Sequence, residues 1–93
     1  MKIPKVLKVG GHKYKVMKGY KFAKKESLVG QARHMDLEIR LQKGINKRKL
    51  EEIFLHEVIH CVDNVYNRQK LKEQTIDRIS EGLYQVLTDN KIF

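Results

Sequence analysis

Long hydrophobic runs are missing from this 93-residue sequence, so neither a secretory signal peptide nor a membrane-spanning helix is expected. The single cysteine, Cys61, has no partner for an internal disulfide, which agrees with a reducing compartment. With only one proline and no low-complexity tract, the composition is not that of a disordered tail. Together these absences predict a globular cytoplasmic protein that makes no use of a membrane.

Acidic residues are missing from the first 25 positions, which contain nine lysines in a chain of net charge +9. Such a region could attract nucleic acid or another acidic partner, because a positive field raises encounter rates with anions. Lysines on the solvent face and outer edge of a sheet would give the same composition. The alternation of lysine with apolar residues favours the sheet interpretation, and nucleic acid stays the less favoured partner.

The length predicts one domain over residues 1–93, because a chain this short buries only about 60–65% of its unfolded surface and cannot supply two cores. Residues 1–45 have β-rich patterns, and residues 46–67 and 72–89 have helical ones. Strands followed by helices predict the α+β class.

The strand signals begin with Gly10-Gly11, which supplies the positive backbone dihedrals of a two-residue hairpin turn between 6–9 and 12–16. Residues 28–34 form a short candidate strand interrupted by a glycine. Residues 36–41 alternate apolar with charged side chains, which indicates a strand with one buried face. The sequence therefore predicts a small antiparallel or mixed sheet made from a hairpin and one or two further strands.

The helical signals begin with Asn46, a favourable N-cap for a helix over residues 46–67. That helix is apolar around most of its circumference, which predicts cover on more than one side. A polar link at 67–70 leads to a second helix, and the two should form an antiparallel pair. The predicted inward stripe of the second helix is Ile76, Ile79, Leu83, Val86 and Leu87.

The first helix carries the HExxH pattern at His56, Glu57 and His60. Side chains four residues apart lie one turn apart on the same face, which suits two imidazoles that share one zinc ion. Glu57 projects beside that position, where it can act as general base toward water activated by the metal. The alternative is a pair of half-exposed surface histidines beside a solvated glutamate.

A catalytic zinc usually has a third protein ligand. The sequence has no histidine after His60, and the position six residues further on, which some long zinc patterns use, is Tyr66. A carboxylate is therefore expected. The candidates are Asp63, Glu73, Asp77, Glu81 and Asp89.

Helical rotation ranks these acids relative to the predicted stripe of the second helix. Glu73 lies roughly 90° from the stripe's centre, Asp77 roughly 130°, and Glu81 nearly opposite. Glu73, in the first turn, is the preferred ligand, although an acid there could merely complement the helix dipole. Asp63 could bind the metal itself, but is expected instead to orient His60 by a hydrogen bond.

These residues resemble a known family, the small zincin-like proteins of bacteriophages and prophages, which are distantly similar to ImmA/IrrE-type metallopeptidases. The resemblance lies in His56-Glu57-Val58-Ile59-His60, in Leu71-Lys72-Glu73 and in Glu81-Gly82-Leu83, and covers about the last half of the chain. It implies a minimal zincin fold, with a small sheet packed on the active-site helix. It also implies His56, His60 and Glu73 as zinc ligands and Glu57 as base.

The leading functional expectation is a zinc metallopeptidase that cleaves a specific cytoplasmic protein. In zincins an extended substrate commonly adds to the sheet edge beside the metal, and residues 36–41 are the predicted edge. The rival is a non-catalytic basic protein of phage origin, stabilised by zinc, which binds a protein or nucleic acid.

Overall fold

A four-stranded mixed sheet and two long helices make up the computed structural model, which describes residues 1–92. The elements in chain order are β1 (Val6–Val9), β2 (His12–Tyr20), a 3-10 turn (Lys24–Glu26), β3 (Gly30–Arg33), β4 (Glu38–Gln42), α1 (Lys47–Tyr66) and α2 (Glu73–Asp89). The predicted α+β class is confirmed. Within residues 1–92, no helix is long and apolar enough to cross a membrane.

The β1–β2 hairpin turns at Gly10 and Gly11, as predicted, with Val9 opposite His12. Gly10 has a φ of +59°, which an L side chain rarely adopts. A Cβ at this position would also lie 2.8 Å from Cγ1 of Val65 on α1. Gly10 is therefore required both by the conformation of the turn and by the close approach of the hairpin to α1.

The strand order is β1-β2-β4-β3, with β2 and β4 parallel and β3 antiparallel to β4. The prediction that residues 36–41 form the sheet edge is therefore wrong, because β4 is an interior strand and the two edge strands are β1 and β3. The physical reason is burial: Ile39 and Leu41 are fully buried, which suits a strand with neighbours on both sides. The edge strand β3 has no fully buried residue.

The main core lies between the inner face of the sheet and α1. Tyr14, Ile39 and Leu41 from the sheet pack with Phe54 and Cys61 from α1. Burial raises the pKa of the Cys61 thiol to about 12, so this cysteine is a small buried apolar group and not a reactive one. Because α2 covers another side of α1, the prediction of cover on more than one side is confirmed.

The stripe with which α2 faces α1 shares Ile76 with the predicted stripe, which confirms that residue, and otherwise differs from it. The buried residues of α2 are Ile76, Ser80 and Tyr84. The predicted inward residues Ile79, Leu83 and Val86 are exposed by 45%, 39% and 44%. The hydroxyl of Tyr84 donates a hydrogen bond of 2.6 Å to the buried Glu51 carboxylate on α1. The hydroxyl of Ser80 donates to the carbonyl of Asp77 on its own helix.

The change of stripe turns Glu73 toward α1. Residues 73, 76 and 80 are spaced by three and four positions, so they share one face of the helix. Glu73 therefore lies on the side that faces α1, instead of at the edge of the buried face as the predicted stripe placed it.

The link between the helices is held by Asp63, which is buried near the end of α1. Its Oδ1 accepts hydrogen bonds from Nδ2 of Asn67 (2.8 Å) and from the backbone N–H of Leu71 (3.2 Å). Among residues 1–92, the only ion pair of His60 is with Glu73. The expectation that Asp63 orients His60 is therefore wrong, and its carboxylate instead fixes the start of the second helix.

Candidate metal centre

The two motif histidines project from one face of α1 toward the start of α2. Asn46 caps this helix as predicted, its Oδ1 accepting a 2.9 Å hydrogen bond from the backbone N–H of Lys49. One turn of helix separates His56 from His60, and their Nε2 atoms lie 3.1 Å apart. Both side chains are half-buried, and His56 lines the cleft between the helices.

Glu73, the first residue of α2, completes a triad with these histidines. Its Oε1 lies 2.8 Å from Nε2 of His56, and its Oε2 lies 2.9 Å from Nε2 of His60. One ligand atom from each residue lies within 4.8 Å of the others. Two imidazoles and a carboxylate are the donors of a catalytic zinc site, with a fourth position left for water or substrate, so the residues fit zinc.

Asp77, one turn after Glu73 on α2, contacts the other nitrogen of His56. Its Oδ1 lies 3.1 Å from Nδ1 of that ring. A carboxylate at this position fixes the tautomer that presents Nε2 for metal binding. From the sequence, Asp77 was only an alternative ligand. Glu73 and Asp77 are four residues apart, as His56 and His60 are, and this matched spacing was the sequence signal that both acids could contact the histidines.

The proposed base, Glu57, is buried beneath β3, with 6% of its surface exposed. Desolvation first, and then the nearby charges of Glu73 and Asp77, raise its pKa to about 8, and a hydrogen bond from the backbone N–H of Ala32 partly opposes them. A carboxyl group whose pKa lies near neutral pH can both accept and return a proton.

Gly30 on β3 permits this burial and was not predicted as a site residue. A Cβ at Gly30 would lie 2.5 Å from Cγ2 of Ile53 and 3.0 Å from Oε2 of Glu57. The backbone of the edge strand therefore passes directly over the glutamate. The sequence showed this glycine only as an interruption of a strand pattern, which often marks a close backbone approach.

The cleft beside the triad is bounded by residues 27–30, by α1 and by α2. Its wall contains apolar Leu28 and Val29 and, beyond the triad, the acids Glu52, Asp77 and Glu81. Glu81 lines this wall but belongs to no three-residue metal cluster in the part of the chain that the structure describes. The cleft is therefore open next to His56 and negatively charged.

Comparisons with protein-family models, with curated proteins and with solved structures give no match to this chain.

Proposed function

We propose that this protein is a zinc-dependent peptidase that hydrolyses an extended segment of another protein. The observation that carries the proposal is the convergence of His56, His60 and Glu73, with the buried carboxyl of Glu57 directly beside them. In this proposal the chain acts in the cytoplasm and belongs to the small zincin-like proteins of phages that its motif resembles.

Zinc, when bound, supplies a Lewis acid that acidifies water and polarises a peptide carbonyl. The chain's own residues supply proton transfer and orientation. Glu57 accepts a proton from the attacking water and returns it to the leaving amine. Asp77 holds the imidazole of His56 with Nε2 toward the triad.

The edge strand β3 offers a place for the substrate backbone. The carbonyl of Val29 accepts a 2.9 Å hydrogen bond from the N–H of Gln42 on β4. Because bonding alternates along an antiparallel pair, the backbone groups of Gly30 point away from β4, toward the open edge. A peptide added as a fifth strand would pair with Gly30 and pass beside Glu57 and the histidines.

The proposal is tested with the Glu57→Gln variant. Loss of the carboxylate should lower hydrolysis by about a hundredfold to ten-thousandfold, the usual contribution of a general base, while zinc stays bound. Because the cleft wall is acidic, peptides with Lys or Arg near the scissile bond form the first substrate library. The measurements are cleavage by mass spectrometry and zinc per chain by elemental analysis.

Asp89→Asn is the control, since Asp89 contacts Gln85 at the far end of α2 and lies outside both the cleft and the triad. It should keep both zinc and hydrolysis. Hydrolysis by the Glu57→Gln variant at the rate of the control would remove Glu57 from the mechanism, and a zinc-loaded wild type that cleaves no member of the library would contradict the peptidase proposal.

A further inference from the structure

The face of the sheet opposite the helices carries a cluster of lysines. On β2, Tyr14 and Val16 are buried against the helical layer, so the alternate residues Lys13 and Lys15 point to the other face. On β1, Val9 is buried, which places Lys8 on that same outer face. We call Lys8, Lys13 and Lys15 the lysine cluster.

Two members of the lysine cluster are direct cross-strand partners. Lys8 lies opposite Lys13 in the register of the hairpin, and Lys15 lies two residues further along β2. Like charges directly opposite each other destabilise a sheet. Lys15 has the outer-face acid Glu38 as its Cα partner on β4, but that carboxylate pairs with Arg40 at 2.9 Å. None of the ion pairs found within residues 1–92 includes a member of the cluster.

Protection of the sheet edge does not account for this arrangement. Lysines on an edge strand discourage pairing with another chain, and β1 is an edge strand. Lys15, however, pairs with β1 on one side and with β4 on the other. Edge protection therefore does not account for the whole cluster, and an anionic ligand would relieve the repulsion between Lys8 and Lys13.

Aromatic side chains lie at one end of the same face. Tyr20 is the Cα partner of Gln42 at the end of β2, and its ring lies 4.6 Å from that of Phe22. The guanidinium carbon of Arg40, an outer-face residue of β4, lies 4.7 Å from the Tyr20 ring centroid. Exposed cations next to aromatic and guanidinium planes are the combination that binds the backbone and bases of single strands.

We propose that this outer sheet face binds single-stranded nucleic acid, with the lysine cluster on the phosphates and the Tyr20–Phe22 pair near the bases. A duplex fits less well, because sequence in its grooves is read by an inserted helix or ribbon and not by an open sheet. The face is separate from the metal centre, so this binding does not depend on the proposed peptidase activity.

The test uses fluorescein-labelled oligo(dT) and oligo(U), with anisotropy measured over a series of salt concentrations. The variant Lys8→Gln/Lys13→Gln/Lys15→Gln should bind at least about tenfold more weakly at low salt. A plot of log K against log [salt] should have a slope smaller in magnitude by about 2, because each of the three lost phosphate contacts contributes about 0.7 on single strands. The melting temperature of the variant should be unchanged or higher, because the Lys8–Lys13 repulsion is gone.

The matched control Lys70→Gln/Arg78→Gln/Lys91→Gln removes the same charge from exposed positions outside the sheet. It should keep wild-type affinity and slope. Equal weakening of both triple variants would show that only net charge matters and would overturn the proposal. So would the absence of binding at low salt, or tighter binding to phosphatidylserine vesicles or to a matched duplex than to either single strand.

Discussion

At the residue scale, Glu73 is the side chain that turns two histidines on one helix into a site shared by two helices. Its two oxygens contact one histidine each. We predict that Glu73→Ala loses zinc, whereas Glu81→Ala, which removes another α2 acid from the same cleft, keeps about one zinc per chain. Elemental analysis after dialysis against a weak chelator measures both, and equal zinc loss in the two variants would be evidence against Glu73 as ligand.

In the proposed zinc site, Asp77 would act on the metal only through His56, so its replacement should weaken the site without removing it. Asp77→Asn is expected to lower zinc affinity about 10–100-fold, the usual cost of losing an outer partner of a ligand histidine. Competition with a chelating dye measures the change. Asp89→Asn is the control, because Asp89 contacts Gln85 at the far end of the same helix. If the two variants lost affinity equally, Asp77 would have no positioning role.

The spacing of His56, Glu57 and His60 could be predicted from sequence because it is a property of one helix. The contact between Asp77 and His56 could not, because it depends on how α2 is rotated about its own axis. Hydrophobic periodicity predicted the wrong rotation of α2. Tyr84 buries its ring against α1 while its hydroxyl donates a hydrogen bond to Glu51, so the more apolar stripe does not occupy the helix interface.

At the scale of elements, the close approach of β3 to α1 is tested by adding one methyl group. Gly30→Ala would place Cβ 2.5 Å from Ile53 and 3.0 Å from Glu57. The overlap should destabilise the fold by about 1–3 kcal/mol, and displacement of Glu57 should lower hydrolysis beyond the effect of stability. Urea unfolding and peptide cleavage of the folded fraction measure the two effects.

Gly82→Ala is the control for Gly30→Ala, because it adds the same methyl group at a position without close contacts. Gly82 is in the interior of α2, and no described heavy atom lies within 4 Å of the added Cβ. Alanine should stabilise the helix by about 1 kcal/mol and leave hydrolysis unchanged. A Gly30→Ala protein as stable and active as wild type would mean that β3 does not constrain Glu57.

The strands themselves could be predicted from alternation and from the Gly10–Gly11 turn, but their order could not. The alternation of apolar and polar residues shows which face of a strand is buried, but it does not determine which strands lie beside it. The parallel pairing of β2 with β4 moves the last strand into the sheet and leaves β3 at the edge. The strand next to Glu57 is therefore the one with the weakest sequence pattern.

At the scale of the whole molecule, zinc should stabilise a small core by joining its two helices. A ligand present at a thousandfold its Kd adds about 4 kcal/mol to the free energy of unfolding. For a domain of this size each kcal/mol raises the melting temperature by roughly 4–8 °C. Calorimetry with zinc and with a chelator should show this shift in wild type and no shift in Glu73→Ala. Identical melting temperatures with and without zinc in wild type would argue against a metal site.

The metal ligands and the base depend on different parts of the fold. His56, His60 and Glu73 come from the two helices alone, whereas Glu57 is enclosed by the edge strand β3. If the proposed function holds, metal retention and turnover should therefore be separable in this scaffold. A change confined to the sheet edge should then yield an inert zinc protein, and zinc content would be no measure of activity among variants of this chain.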